Sequence, residues 1–138
     1  MNNKLLVLAT MVTALLLASF PAMAHHSFAA EYDSTKPVTL QGTVTKVEWL
    51  NPHIWIYLDA KDDPGGVTAK WSCEGGAPNA LTRQGWTRNS LKAGDQVVIE
   101  GYRSKDGTTT CDSRTLKGAD GKKYFSGSPD DGGPQAKQ

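Results

Sequence analysis

Apolar positions alternate most cleanly over residues 53–59. Ile54, Ile56 and Leu58 share one parity, and His53, Trp55, Tyr57 and Asp59 share the other. A period of two belongs to a strand with one buried face. The aliphatic set is therefore predicted to enter a core, with an imidazole, an indole and a phenol in a row on the outer side. Residues 38–50 predict a long strand ahead of it, rich in the β-branched Val and Thr that suit a pleated surface. Its alternation slips: Val38, Leu40 and Val44 share one parity, Val47 and Trp49 the other. Gly42 lies near the slip and predicts a bulge or sharp coil there. Asn51-Pro52 predicts the corner between the two strands.

The turn-forming run KDDPGG at 61–66 separates these from a third strand over 67–73. Val67, Ala69, Trp71 and Cys73 fall on one face of it and Thr68, Lys70 and Ser72 on the other. Residues 77–84 predict a short helix, with Pro78 in its first turn, Leu81 as apolar anchor, Gly85 as cap and Trp86 beneath it. A fourth strand is predicted over 96–102, where Val97, Ile99 and Gly101 oppose Val98, Glu100 and Tyr102. The hairpin turn Lys105-Asp106-Gly107 leads to a fifth strand over 108–116 containing Cys111. Asp120-Gly121 predicts a further turn and residues 122–125 a short last strand. Residues 126–138, SGSPDDGGPQAKQ, carry almost no apolar side chain and are predicted to be a disordered tail.

Three strands, a short helix and two strands form the connectivity of an all-β, five-stranded Greek-key barrel of the OB-fold type. The phrase LKAGDQVVIEG at 91–101 resembles the lead-in to strand four of many such barrels. A β-sandwich is the alternative architecture. The predicted organisation is an export leader at 1–24, an N-terminal arm at 25–37 that Phe28 and Tyr32 dock on the body, a barrel at 38–125, and the tail at 126–138.

The leader rests on Lys4, an apolar run over 5–20 and the small-residue site Ala22-Met23-Ala24, the pattern of a cleaved secretory signal. The run falls short of the ~20 apolar residues of a spanning helix, so no stable membrane anchor is expected after cleavage. Export to a periplasmic or secreted location makes the two cysteines, Cys73 and Cys111, a predicted disulfide; a thiolate metal site is the competing reading. In that barrel class strands three and five lie side by side near closure, which would bring these two cysteines together. The whole chain has 15 Lys and Arg against 14 Asp and Glu. Lys4 leaves with the leader, so the remaining side chains balance. With no basic excess or stripe, a nucleic-acid partner is not expected.

HHSFAAEYD after the cleavage site, VTLQGTVTKVEWLNPHIWIYLD, Gly85-Trp86 and LKAGDQVVIEGY together resemble the exported bacterial proteins grouped as domain of unknown function family 6152. The resemblance spans residues 25 to about 125. It implies a small periplasmic or secreted β domain and no established activity.

The candidate chemistry therefore lies with the residues. All three histidines, His25, His26 and His53, follow the leader. Cleavage after Ala24 would leave His25 with a free α-amine. That amine, its own ring nitrogen and a second imidazole form the nitrogen-rich set that suits Cu(II). His53 is the expected third contributor if the arm folds back over the second strand, with a carboxylate such as Glu48 assisting. The bland reading is two solvated arm histidines and a His53 that hydrogen-bonds at the corner. The expected function is a non-enzymatic exported binding protein that holds copper or a similar metal. The alternative is an adaptor that stacks a small ligand or a periplasmic protein on Trp55 and Tyr57. Oxidase or oxygenase activity would require redox turnover in addition to binding. There is no Gly-x-Ser-x-Gly elbow and no His-Glu-x-x-His helix.

Overall fold

The long first strand is the spine of the computed structural model, which describes residues 28–62 and 65–128. The leader, His25, His26 and the tail beyond residue 128 lie outside the described residues. A one-turn helix α1 (Phe28–Glu31) runs directly into β1 (Tyr32–Glu48), followed by β2 (Trp55–Asp62) and β3 (Thr68–Glu74). Helix α2 (Pro78–Arg83) then precedes β4 (Gln96–Ser104), β5 (Thr110–Gly118) and β6 (Lys123–Phe125). One six-stranded sheet results, in the order β3-β2-β1-β4-β5-β6. All neighbours in that order are antiparallel, and a parallel pairing of β3 with β5 closes the sheet into a ring.

Strand β1 serves two neighbours because it bends. Its early part pairs with β4, from Tyr32 opposite Ser104 to Thr43 opposite Gln96. Its later part pairs with β2, from Leu40 opposite Asp62 to Glu48 opposite Trp55. The predicted irregularity exists but is displaced: the register slips between Val44 and Lys46, not at Gly42. Gly42 has a different task. A Cβ there would lie 2.2 Å from the Asp59 carbonyl and 2.6 Å from Ala60, so only glycine lets the two strands approach at that point. At the slip itself, Val44 exchanges backbone hydrogen bonds with Gly94 and Asp95, not with a strand. The strand also begins earlier than predicted. Tyr32 already pairs with β4, residues 33–36 loop out, and pairing resumes at Pro37. Part of the expected arm is thus sheet.

The predicted aliphatic face of β2 is the core. Ile54, Ile56 and Leu58 are buried with Leu40, Leu81, Ile99, Trp71 and Trp86. Helix α2 is placed as expected: Pro78 occupies its first turn, Leu81 is buried, and the backbone N–H groups of Gln84 and Gly85 close its end. Gly85 adopts φ +92°, the left-handed conformation that favours glycine. Trp86 donates its indole N–H to the Phe125 carbonyl at 3.1 Å and meets the Tyr124 ring edge-on.

Ser126 corrects the expected tail boundary. It is buried, donates its N–H to the Arg114 carbonyl at 2.9 Å, and accepts from the Gly76 N–H at 2.8 Å. Backbone hydrogen bonds and a buried contact between the Ser113 and Ser126 hydroxyls hold this segment where an apolar pattern is lacking.

The predicted disulfide is present. Cys73 and Cys111 are register partners in the parallel β3–β5 pair, with Cα atoms 4.5 Å apart and a sequence separation of 38. Loop closure of that length stabilises the fold by about 4 kcal/mol in the chain-entropy picture. Replacing both cysteines by alanine should lower the unfolding free energy by about 3–4 kcal/mol, read from urea titrations. A loss below about 1 kcal/mol would show that the ring closes without the covalent bond.

Candidate functional site

Just after the corner formed by the cis Asn51-Pro52 peptide, the backbone is tied across to the end of β3. Ile54 donates to the Gly76 carbonyl at 3.1 Å, and Gly75 donates back to the Ile54 carbonyl at 2.9 Å. This clamp holds His53 against Glu74. The ring nitrogen Nδ1 of His53 meets Oε1 of Glu74 in a short contact, and both side chains are only 13% exposed. The other carboxylate oxygen, Oε2, accepts the Tyr32 hydroxyl at 2.5 Å. Three segments meet there: the link that leads into β2, the last residue of β3 and the first of β1.

Tyr32 is buried, and burial is the first cause that drives its phenol far above the ordinary tyrosine value. The hydrogen bond to Glu74 and the negative charges of Glu74, Asp112 and Glu31 act in the same direction. The hydroxyl therefore stays protonated and donates at any physiological pH. Asp112 is the register partner of Glu74 across the β3–β5 pair. It forms an ion pair with Arg114 at 2.5 Å, with side chains 5% and 3% exposed. The Arg114 guanidinium lies 4.8 Å from the centre of the Phe28 ring and donates to the Ser128 carbonyl at 3.3 Å. Phe28 in turn packs on Tyr32 and edge-on to Tyr102, with centroids 5.8 and 5.6 Å apart. Two bonds from Lys105 complete the docking of α1, one from its N–H to the Glu31 carbonyl and one from its ammonium to the Ala29 carbonyl.

The side chains of the predicted outward row have different partners. His53 turns to Glu74, whereas Tyr57 donates its hydroxyl to Oε2 of Glu48 at 3.0 Å. The Lys46 ammonium lies 5.4 Å from the centre of the Tyr57 ring and pairs with Glu48. Trp55 is half-buried and sits opposite Glu74 in register. The carboxylate beside His53 is thus Glu74 and not Glu48, because residue 74 ends the strand that faces the corner while Glu48 is held on the β1 side. His25 and His26 lie outside the described residues, so their convergence with His53 is a matter for proposal. Among the described residues, no three His, Cys, Asp or Glu side chains form a metal-binding group.

Sequence reasoning missed Tyr32 and Arg114 as parts of this cluster. The one available signal was Glu74, which continues the outward parity of Ser72 beyond the predicted end of β3. On the outer side of β4, β5 and β6, Val98, Glu100, Thr115, Lys117, Gly121 and Lys123 line a separate cavity of about 320 Å³. Two of its charged groups pair with each other: Thr115 donates to Glu100 at 2.6 Å and Lys123 pairs with Glu100 at 3.1 Å.

The model of a family of unknown function (DUF6152) matches residues 13–113. No curated protein matches the chain, and no solved structure does.

The raised Tyr32 phenol has a stability consequence. The unfolded chain releases this proton near pH 10, while the folded state keeps it. The contribution is therefore complete below about pH 10 and is lost as pH rises beyond it. Urea midpoints measured from about pH 8 to about pH 11 should fall more steeply for the natural protein than for Tyr32→Phe. Parallel curves would show that Tyr32 ionises as freely in the folded chain as in the unfolded one.

Proposed function

The chain belongs to that family of unknown function, and we propose that it is an exported barrel of the OB type that holds copper or a similar late transition-metal ion. The ligands would be the processed N-terminus at His25, with His26, and His53. The ring order supports the barrel reading, since strands three and five close such barrels; β6 is then an added strand. Export is supported by the leader pattern and by the Cys73–Cys111 bond, which suits an oxidising compartment.

The observation that carries the metal reading is the docking of Phe28. It packs on Tyr32, whose hydroxyl is bonded to the same carboxylate that holds His53. His25 precedes Phe28 by three residues, which span at most about 11 Å of extended chain. That reach is the ground for proposing the amine and both arm imidazoles as partners of His53. The set combines an amine with imidazoles, which favours Cu(II). Because the amine must be deprotonated, binding should tighten as pH rises toward about 8. We read the role as binding; both oxygens of Glu74 hold Tyr32 and His53.

A second reading rests on Trp55, half-buried on the outward face of β2, as a stacking surface for a small ligand or a periplasmic protein. Trp55→Ala should weaken such an interaction without affecting metal binding.

The metal reading is tested by titrating Cu(II) into protein whose start at His25 has been verified by mass spectrometry, with EPR as readout. Protein carrying one extra residue before His25 serves as comparison. The natural terminus should give a nitrogen-rich signal with affinity at least about tenfold above the extended form, and His53→Ala should change that signal. Equal weak binding by both forms would remove the histidine site and leave Trp55 as the place to search.

A further inference from the structure

We propose that the cavity on the outer side of β4, β5 and β6 binds a small organic acid that carries its own hydrogen-bond donor, an α-hydroxy or α-amino carboxylate. Lys117 would take the carboxylate, Glu100 the donor, and Val98 the carbon stem. The site uses none of the residues of the metal reading and stands independently of it.

Register brings the lining together. Val98 lies opposite Lys117, and Glu100 opposite Thr115, across the β4–β5 pair. Lys117 lies opposite Lys123 across the β5–β6 pair. These side chains from three strands, with Gly121 from the turn before β6, line a space of about 320 Å³. Ligand pockets begin at about 300 Å³, so the space suits a molecule of a few carbon atoms. Thr115 is only 6% exposed and Val98 is half-buried, which gives the cavity a fixed floor beneath a charged rim.

Two features of the rim describe what it would hold. The first is an uncompensated cation. Lys117 and Lys123 sit directly opposite one another, a placement in which like charges oppose strand pairing. Lys123 is offset by Glu100 at 3.1 Å, whereas the ammonium of Lys117 has no partner among the described residues. The second is a carboxylate used on one side. Oε2 of Glu100 accepts from both the Thr115 hydroxyl and the Lys123 ammonium. Oε1 accepts from nothing among the described residues. The Thr115 hydrogen bond first, and Lys123 after it, hold the Glu100 carboxyl below the usual range. Glu100 is therefore ionised at neutral pH, and Oε1 can only accept.

The ligand class follows. A negative group on Lys117 and a donor on Oε1 would each make a charge-assisted hydrogen bond. A plain carboxylate supplies the first and leaves Oε1 facing a like charge. A plain amine supplies the second and meets two ammonium groups. A hydroxy or amino acid supplies both, with its short stem over Val98.

The test follows amide chemical shifts by NMR, in protein starting at His25, as L-lactate, L-alanine, propionate or ethylamine is added. Propionate lacks the donor and ethylamine lacks the acid. L-lactate or L-alanine should give saturable shifts at Val98, Thr115, Lys117 and Lys123 at millimolar concentration, and the one that binds tighter identifies the donor as hydroxyl or ammonium. Propionate should bind about threefold more weakly, and ethylamine should leave these signals in place. Lys117→Gln should weaken binding about fivefold. Lys70→Gln, which removes the same charge at an exposed position on β3, should leave the affinity unchanged. Propionate binding as tightly as both acids would overturn the proposal, as would equal weakening by Lys117→Gln and Lys70→Gln. Absence of saturable shifts with both acids would also overturn it.

Discussion

The pairing of β3 with β5 is the constraint on which the rest depends. It is only three register pairs long, from Ser72 opposite Thr110 to Glu74 opposite Asp112, and the Cys73–Cys111 bond sits at its centre. It turns an open sheet into a ring. It also sets Glu74 and Asp112, each the residue after a bridged cysteine, side by side at the same edge. Both carboxylates then need partners, because burying a charge without one is costly. Asp112 finds Arg114; Glu74 finds Tyr32 and His53. The covalent closure and the polar cluster are thus one arrangement.

The cluster explains why a segment with no clean period folds at all. Helix α1 is a single turn, far too short to be stable by itself. Its stability comes from where Phe28 and Tyr32 land. Phe28 covers the Arg114 guanidinium, a cation–π contact that gains strength when desolvated. Arg114 also reaches the Ser128 carbonyl, so the first and last described segments of the chain meet on one buried side chain. An ion pair this deeply buried contributes less through its own attraction than through the geometry it enforces. Here that geometry holds the arm over the closed edge of the ring.

What the sequence made legible follows from the range of each signal. Alternation over residues 53–59 and Pro78 with Gly85 around a short helix are local and appear in place, whereas β2 runs on to Asp62, into the predicted turn at 61–66. The disulfide was legible from compartment and topology together. The start of β1 was not, because residues 33–36 loop out and break the period between Tyr32 and Pro37. Gly42 was read as a bulge, but its role is close approach to β2, visible only once Asp59 and Ala60 are across from it. Ser126 falls in the predicted tail because what holds it is polar, backbone bonds and a hydroxyl contact with Ser113. The Tyr32–Glu74–His53 contact joins residues 42 and 21 positions apart, and no local pattern announces it. His53 was singled out for its chemistry, yet its partner was placed at Glu48 because alternation gives the face of a residue and not its neighbour across the ring.

The central claim is that a metal binds at the edge where the arm, His53 and Glu74 meet. Paramagnetic broadening of backbone amide resonances by substoichiometric Cu(II), in protein starting at His25, tests it most directly. The account predicts selective loss of the signals of Phe28, Tyr32, His53 and Glu74, with those of Lys117 and Lys123 in the separate cavity unaffected. Broadening centred on the Lys117–Lys123 face, or none at His53 and Glu74 at saturating metal, would contradict it.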